Sequence, residues 1–581
     1  MREAPYLQQR GRNRSITTDF RGLNLSQGIG DGEWAWMQNM DTREYPAVAR
    51  RQKRVHVATL NKPNGLCATD RLCFVDGVKF YYNGFYYGDV EDSEKTLVPM
   101  GAKIAIFPDK KLFDTTTFSF TDMEQKNVSS GTVRVTLAKG DGTPYGEYTE
   151  GGTAPENPEN GQLWLDTSGD APVMKTWSEA QGLWVAEATT YVLVSATGLG
   201  QGLKALDGVT VSGLEEAGLN GDWILTDAGP DYILFTGILQ KALTQTGEVR
   251  VERTCPEMDF VVEKDNRVWG CSSSENVIYA CKLGDPTNWR AYQGVATDSY
   301  AVTVGTPGPF TGAAVSGSAV IFFKENCLHR VYGTQPSNFT VYVDNLRGVQ
   351  QGCHKSAVRV NEYLYYKSVF DVCVYADSEV AGISAALGTE SYKNAVAGVC
   401  GNRLYLSMED QEGAWQLLVY DTAAGVWTRE DGTHALGFAS CLTETFMLRA
   451  DGELYALLPG EYNKDFFMVG SDYTVYAQEE TDEEVSWELR TGEILRELPD
   501  HKYIGKIQLY LELDPGARAE VALRRDGGAW ETVQELSGGD QRRCTLPIYP
   551  RRCDRMEIRL TGVGHVRLVN WSKYVGYGSE Y

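Results

Sequence analysis

A short recurring pattern restricts the fold of this chain more than any other feature. A small polar turn leads into an alternating apolar strand, and a second strand ending in an aromatic residue follows. The clearest copy is Asn402-Arg403-Leu404-Tyr405-Leu406 with Gln416-Leu417-Leu418-Val419-Tyr420. Further copies start at Asp70, Asn266, Gly317, Asn361 and Thr443, and a weaker one starts at Asp109. The alternation has the two-residue period of a strand with one buried face. Tyr, Val, Phe and Trp suit such a pleated surface. Turn formers such as Asp76-Gly77, Asn83-Gly84 and Asp451-Gly452 separate the runs.

From Asn266 onward the copies are spaced by roughly 40–50 residues, the repeat length of a propeller blade. One small sheet cannot cover both of its faces, whereas a ring of sheets can, because each blade covers the next. The expected fold class is therefore all-β: a β-propeller of about six to eight blades, with an inserted small β-domain and a C-terminal β-sandwich. A sandwich alone, or a string of small β-domains, is the competing arrangement.

The chain of 581 residues is too long for one core. Its 61 glycines and 13 tryptophans suit a turn-rich all-β protein. A net charge of −23 argues against wrapping nucleic acid through its phosphates. It fits ordinary solubility, or a particle surface that must not hold DNA. No run approaches a membrane span, and Met1–Leu7 lacks the apolar core of a signal peptide. The twelve cysteines are scattered, without a CxxC pair, and read as buried thiols of a protein folded in a reducing cytoplasm.

Five segments are expected: an N-terminal arm and strap (1–60), the first blades (61–130), an inserted β-domain (131–250), the remaining blades (251–465) and the sandwich (466–581). Residues 1–20 are polar and arginine-rich and read as a mobile arm. The insertion breaks the blade period and belongs on an exposed loop. It carries Pro155-Glu156-Asn157-Pro158 leading to Trp164, Trp177 and Trp184. The run Gln478–Glu484 is acidic and reads as a domain junction or a solvated strand edge. After it, Lys506–Leu513, Glu520–Arg524 and Met556–Leu560 alternate as sandwich strands.

The opening Gly22-Leu23-Asn24 … Gly32-Glu33-Trp34 … Met37-Gln38-Asn39-Met40-Asp41 … Arg50-Arg51-Gln52-Lys53-Arg54 resembles the start of bacteriophage tail proteins. The likeness is to the propeller-bearing tail nozzle, or tail tubular, proteins of short-tailed phages and related prophages. Arg267-Val268-Trp269-Gly270, Leu283-Gly284-Asp285-Pro286-Thr287-Asn288-Trp289 and Pro309-Phe310-Thr311-Gly312-Ala313 with Ile321–Glu325 are similar to phrases of the same proteins. The wording around Trp164 resembles a small β-module of phage tail proteins. The resemblance lies chiefly in 20–55 and 255–390. It implies a hexameric ring in the virion tail, assembled in the host bacterial cytoplasm against portal or adaptor proteins, with genomic DNA passing through its lumen unread.

Sites are few. The chain has no P-loop, no H-E-x-x-H and no nucleophile elbow. Gly28-Ile29-Gly30-Asp31-Gly32 lacks the spacing of a dinucleotide fingerprint. Cys353-His354 is the one close Cys/His pair, with no partner at ligand spacing. No cofactor or metal is expected. A propeller glycosidase would need paired carboxylates, for which Glu263, Asp265, Asp371 and Asp451 are candidates, although each reads more simply as a turn or strand-end residue. Arg50, Arg51, Lys53 and Arg54, with Trp34 and Trp36, are candidates for a subunit interface, DNA contact being the other use of the basic run. Trp164, Trp177 and Trp184 either stack on a glycan or form the core of their module.

The expected function is a structural component of a phage tail or head-to-tail connector, and not an enzyme. The alternatives are a glycan- or receptor-binding tail module and a propeller glycosidase or lyase.

Overall fold

The computed structural model describes residues 13–376, 378–441, 444–457, 484–494, 502–539 and 543–577. The acidic run Gln478–Glu484, up to residue 483, lies outside the described residues, as do residues 1–12 of the arm and Thr443.

Among the described residues, seven four-stranded antiparallel sheets follow one another as blades, each hairpin recognised in the sequence falling in its own sheet. Blade 1 runs through Pro63–Ala68, Leu72–Asp76, Lys79–Tyr82 and Phe85–Asp89. Blade 2 spans Thr96–Met100 to Ser119–Asp122, and blade 3 spans Phe260–Lys264 to Tyr300–Thr303. Blade 4 spans Gly312–Ser316 to Thr340–Asp344, and blade 5 spans Val358–Val360 to Glu379–Gly382. Blade 6 spans Lys393–Cys400 to Val426–Arg429. Blade 7 takes three strands from this end of the chain, namely Ala435–Cys441, Glu444–Arg449 and Glu453–Ala456.

The fourth strand of blade 7 comes from the other end of the propeller sequence. Val55–Thr59 pairs antiparallel with Glu453–Ala456 and closes the ring. The first strand of each blade neighbours the first strand of the next all the way round. Separate clusters of buried side chains fill the gaps. Phe80 and Phe113 lie between blades 1 and 2, Val268 and Phe107 between blades 2 and 3, and Trp269 and Phe322 between blades 3 and 4. This is the reason a blade is a poor fold alone: its apolar faces are covered by its neighbours.

The insertion sits between blades 2 and 3. An eight-stranded path from Gln125–Val128 to Leu243–Gln245 encloses a core that includes Val135, Val192, Phe235 and Val251. A four-stranded sheet, Tyr148–Gly151 to Leu183–Ala186, carries the three tryptophans. The insertion is tied to blade 3. Asn288 donates to the Leu206 carbonyl at 2.7 Å and accepts from the Gly208 amide at 3.2 Å. At Gly208 the two backbones are so close that a Cβ would lie 2.4 Å from the Arg290 carbonyl oxygen.

The C-terminal half-domain does not build its sandwich alone. Two six-stranded sheets face each other, and five of the strands come from the N-terminal segment. Gly22–Leu23 and Glu33–Gln38 extend the sheet of Ser486–Thr491, Arg518–Arg525, Glu531–Ser537 and Met556–Val563. Asn13–Thr17, Met40–Asp41 and Val48–Arg50 join the sheet of Lys502–Leu513, Arg543–Thr545 and Val566–Tyr577. The arm expected over residues 1–20 is therefore paired from Asn13 on, with Ser15 opposite Lys573 and Ile16 opposite Ser572. Polarity misleads there, because an edge strand gains its place from backbone hydrogen bonds rather than from apolar side chains.

One core runs through propeller and sandwich together. It joins Tyr366, Leu404 and Trp427 of blades 5 and 6 to Phe20, Trp34 and Met37 of the strap, and to Leu509, Leu560 and Trp571 of the sandwich. Trp34 stacks on Phe20 at 5.7 Å between ring centres and leans on Trp571 at 5.4 Å. Its truncation to Ala is expected to cost about 3–5 kcal/mol, because Phe20 and Trp571 lose their common partner. A chemical denaturation curve measures the loss.

Candidate functional site

The residues of the opening phrase converge on a seam between blade 6, the start of blade 7 and the sandwich. Gly22 has φ +76°, and a Cβ there would lie 2.2 Å from the Trp427 carbonyl oxygen, so glycine lets the strap touch blade 6 backbone to backbone. Asn24 donates to Glu33 at 2.7 Å, and Glu33 accepts from the Gly30 amide at 2.6 Å, which folds the glycine-rich loop onto itself. Asn39 donates to the Ser486 carbonyl at 2.7 Å and accepts from Arg51 at 2.7 Å, while its amide donates to the Glu430 carbonyl. Thr42 donates to Asp421 of blade 6 at 3.0 Å.

The basic run ends in this seam. Arg54 meets Glu430 at 2.5 Å and Asp431 at 2.8 Å, and Arg51 lies 3.8 and 3.7 Å from the same two carboxylates. Arg51, Arg54 and Glu430 are buried. Burial would lower the Arg54 pKa, but Glu430 and Asp431 outweigh it and the guanidinium stays charged. Burial would raise Asp431, yet Arg54 and the hydrogen bond from Thr433 hold it below the usual carboxylate range. A depressed carboxylate stabilises the fold above its unfolded value and loses that contribution as the pH falls through its folded value. The Asp431 contribution is therefore complete at neutral pH and is lost below about pH 4. Denaturation midpoints of wild type and Asp431→Asn are expected to keep their neutral-pH difference down to about pH 4 and to draw together as the pH falls further.

These placements define what the expected interface residues do. Arg51, Arg54 and Trp34 are used inside the chain. Arg50 and Lys53 are half-buried, and Trp36 is half-buried beneath the Arg429 guanidinium at 4.3 Å. The charge run hid its role because its acidic partners stand more than 370 residues away, as Arg54 and Glu430 show.

The later phrases are structural in the same way. Arg267, buried in blade 3, donates to the carbonyls of Cys281 at 2.8 Å, Ala296 at 2.8 Å and Asp298 at 2.5 Å, holding the long loop before the last strand. The Trp289 indole donates to the Pro286 carbonyl at 2.7 Å.

In the insertion, Trp177 stands opposite Trp184 across two strands, and the rings meet edge to face at 5.5 Å. Trp184 meets Trp164 at 5.3 Å. Trp164 is buried, donates to the Gly151 carbonyl at 2.9 Å and lies under the Lys175 ammonium at 4.9 Å. Trp177 and Trp184 remain half-exposed on the flank of the module.

The four carboxylates considered for catalysis stay apart on three blades. Glu263 accepts the Asn266 amide at 2.8 Å in a hairpin turn, and Asp265 beside it has φ +52°. Asp371 pairs with Arg347, and Asp451 pairs with Arg449 at 2.6 Å. Cys353 is buried and accepts the Ala395 amide at 3.3 Å. Among the described residues, no group of three or more His, Cys, Asp or Glu side chains is placed to hold a metal ion.

Next to Cys353, His354 reaches one mouth of the propeller axis. A cavity of about 370 Å³ opens there, walled by the first strands of blades 1, 2, 5, 6 and 7. Lys355 crosses its rim, pairing with Glu94 at 2.6 Å and donating to the Leu436 carbonyl at 3.0 Å. Burial would raise Glu94, but Lys355 holds it below the usual carboxylate range. Burial lowers His354, and Lys355 lowers it further, so the imidazole is neutral at pH 7. A second cavity, of about 360 Å³, is lined by blades 2 to 5 and shares Thr96 and Leu97 with the first. The sequence signal for this mouth was the lone Cys353-His354 pair; Glu94, which pairs with the adjacent Lys355, lies in a loop with no pattern of its own.

A closed ring of four-stranded blades defines a β-propeller. No protein-family model and no curated protein matches the chain. Solved structures similar to it include the exo-β-1,3-galactanase of Phanerochaete chrysosporium, at 10% identity, 54% of this chain, 95% of that chain and a TM-score of 0.21. Hsv2 of Kluyveromyces lactis is similar at 10% identity, 63% of this chain, 95% of that chain and a TM-score of 0.25. An engineered GH43 glycoside hydrolase with endo-xylanase and exo-arabinofuranosidase activity is similar at 10% identity, 55% of this chain, 97% of that chain and a TM-score of 0.20. The expectation that the chain is not an enzyme is corrected by these matches: glycoside hydrolases stand among the structures it is similar to, and that exclusion is withdrawn.

Proposed function

We propose that the chain is a structural subunit of a phage tail or head-to-tail connector, nozzle-like, one copy of a ring around the DNA exit channel. The observation that carries this reading is the seam: the polar residues of the tail-protein opening phrase are spent on fixing propeller to sandwich through one core. A propeller and sandwich that share one core suit a wall that must keep its form while a genome passes. The resemblance supplies the hexameric ring, the portal or adaptor partners and the virion location. The acidic balance of −23 suits a surface that lets DNA slide. Mixing the purified chain with portal and adaptor rings, followed by negative-stain imaging, tests the proposal. Rings with a central channel are expected, and a chain that stays monomeric with every ring partner would overturn it.

A second reading, a carbohydrate-active propeller, is favoured by the axial mouth with Glu94, His354 and Lys355. Glycoside hydrolysis takes two carboxylates about 5–10 Å apart, and Glu94 supplies one. Release of reducing sugar from an oligosaccharide panel that disappears in Glu94→Gln would support it. A panel left intact by the wild type would remove it.

A further inference from the structure

The axial mouth has a construction that neither the seam nor the tail reading uses. Lys355 is held by the Leu436 carbonyl with its ammonium across the rim, and its one carboxylate partner, Glu94, keeps 63% of its side chain exposed. Beneath the ammonium the wall is apolar: Leu97, Val358, Val396, Ala397 and Phe438. The neighbouring cation, Lys95, is already satisfied, its ammonium 2.6 Å from Asp109 with both side chains almost wholly buried. His354 brings no charge at neutral pH and packs against Phe260 at 5.2 Å between ring centres. The mouth therefore offers one positive charge above a mostly apolar chamber at the small end of the range for small-molecule sites.

We infer that the axial chamber binds an apolar monocarboxylate, with a body of about ten carbon atoms in the cavity and its carboxylate on Lys355. The ligand carboxylate takes the place of Glu94, which swings into solvent at small cost because it is already mostly exposed. A single ammonium, the other lining lysine, Lys95, being paired with Asp109, matches one negative charge, and so favours a carboxylate over a phosphate monoester. Burying the apolar body supplies the rest of the affinity.

Calorimetric titration of the full chain with decanoate and with decanol tests this. Decanoate is expected to bind one to one, with decanol roughly tenfold or more weaker, since its neutral hydroxyl cannot form the charge-assisted ion pair with the ammonium. Lys355→Met is expected to weaken decanoate by a similar factor and to leave decanol unchanged. Glu94→Gln removes the internal competitor and is expected to tighten decanoate several-fold. Leu97→Trp fills the chamber and is expected to abolish binding of both ligands. Equal affinities for decanoate and decanol, an unchanged decanoate affinity in a folded Lys355→Met chain, or no saturable binding to the wild type would each overturn the assignment.

Discussion

A chain lacking residues 1–60 is expected not to fold. The deletion removes five of the twelve sandwich strands and the strand Val55–Thr59 that closes blade 7. It leaves Glu453–Ala456 and the long strand Val566–Tyr577 with open edges, which invite pairing with other chains. It also takes Phe20, Leu23, Trp34, Met37 and Met40 out of the shared core. Each fully buried apolar side chain of this size contributes about 1.5–3 kcal/mol, and a domain has only about 5–15 kcal/mol of net stability. The truncated protein should therefore aggregate on expression and, if refolded, show no cooperative thermal transition by circular dichroism. Supplying residues 1–60 as a separate peptide should restore part of the transition, because the missing strands are defined by pairing rather than by chain continuity.

Arg54→Met is expected to destabilise the chain by about 3–5 kcal/mol. Removing one partner from a buried charge group strands the others, here Glu430 and, in part, Asp431. Arg54→Lys should lose less but not nothing, because a lysine cannot reach two carboxylates with a planar fork. Arg54→Met combined with Glu430→Gln should lose less than the sum of the two changes, a coupling of about 0.5–3 kcal/mol. Chemical denaturation of the four proteins gives the cycle. If Arg54 were instead an exposed interface residue, its replacement would change monomer stability by less than about 0.5 kcal/mol.

The blades were legible because each carries its own information. Alternation, aromatic ends and turn pairs lie within about thirty residues of each other, and the seven hairpins read from the sequence are the seven sheets. Closure was not legible. Val55–Thr59 alternates weakly, and its partner Glu453–Ala456 lies almost four hundred residues on. The strap strands Gly22–Leu23 and Met40–Asp41 are two residues long and have no period at all. The basic run looked like surface because four charges in five residues normally are. Only the folded chain brings Glu430 and Asp431 to it. The carboxylates Asp265 and Asp451 read as turn residues, and the structure places both in turns. The axial mouth showed in the sequence only as the Cys353-His354 pair, because Glu94, His354 and Lys355 come from two segments whose meeting depends on ring closure.

The central claim is that propeller, strap and sandwich are one structural unit. Native-state hydrogen exchange tests it most directly. The account predicts that the amides of Glu33–Gln38 and Val55–Thr59 exchange as slowly as those of the blade 6 strand Arg403–Glu409 and of the sandwich strand Met556–Val563, and that all are released together near the unfolding midpoint. Strap amides that exchange by an early, separate opening, while blades and sandwich stay protected, would contradict it.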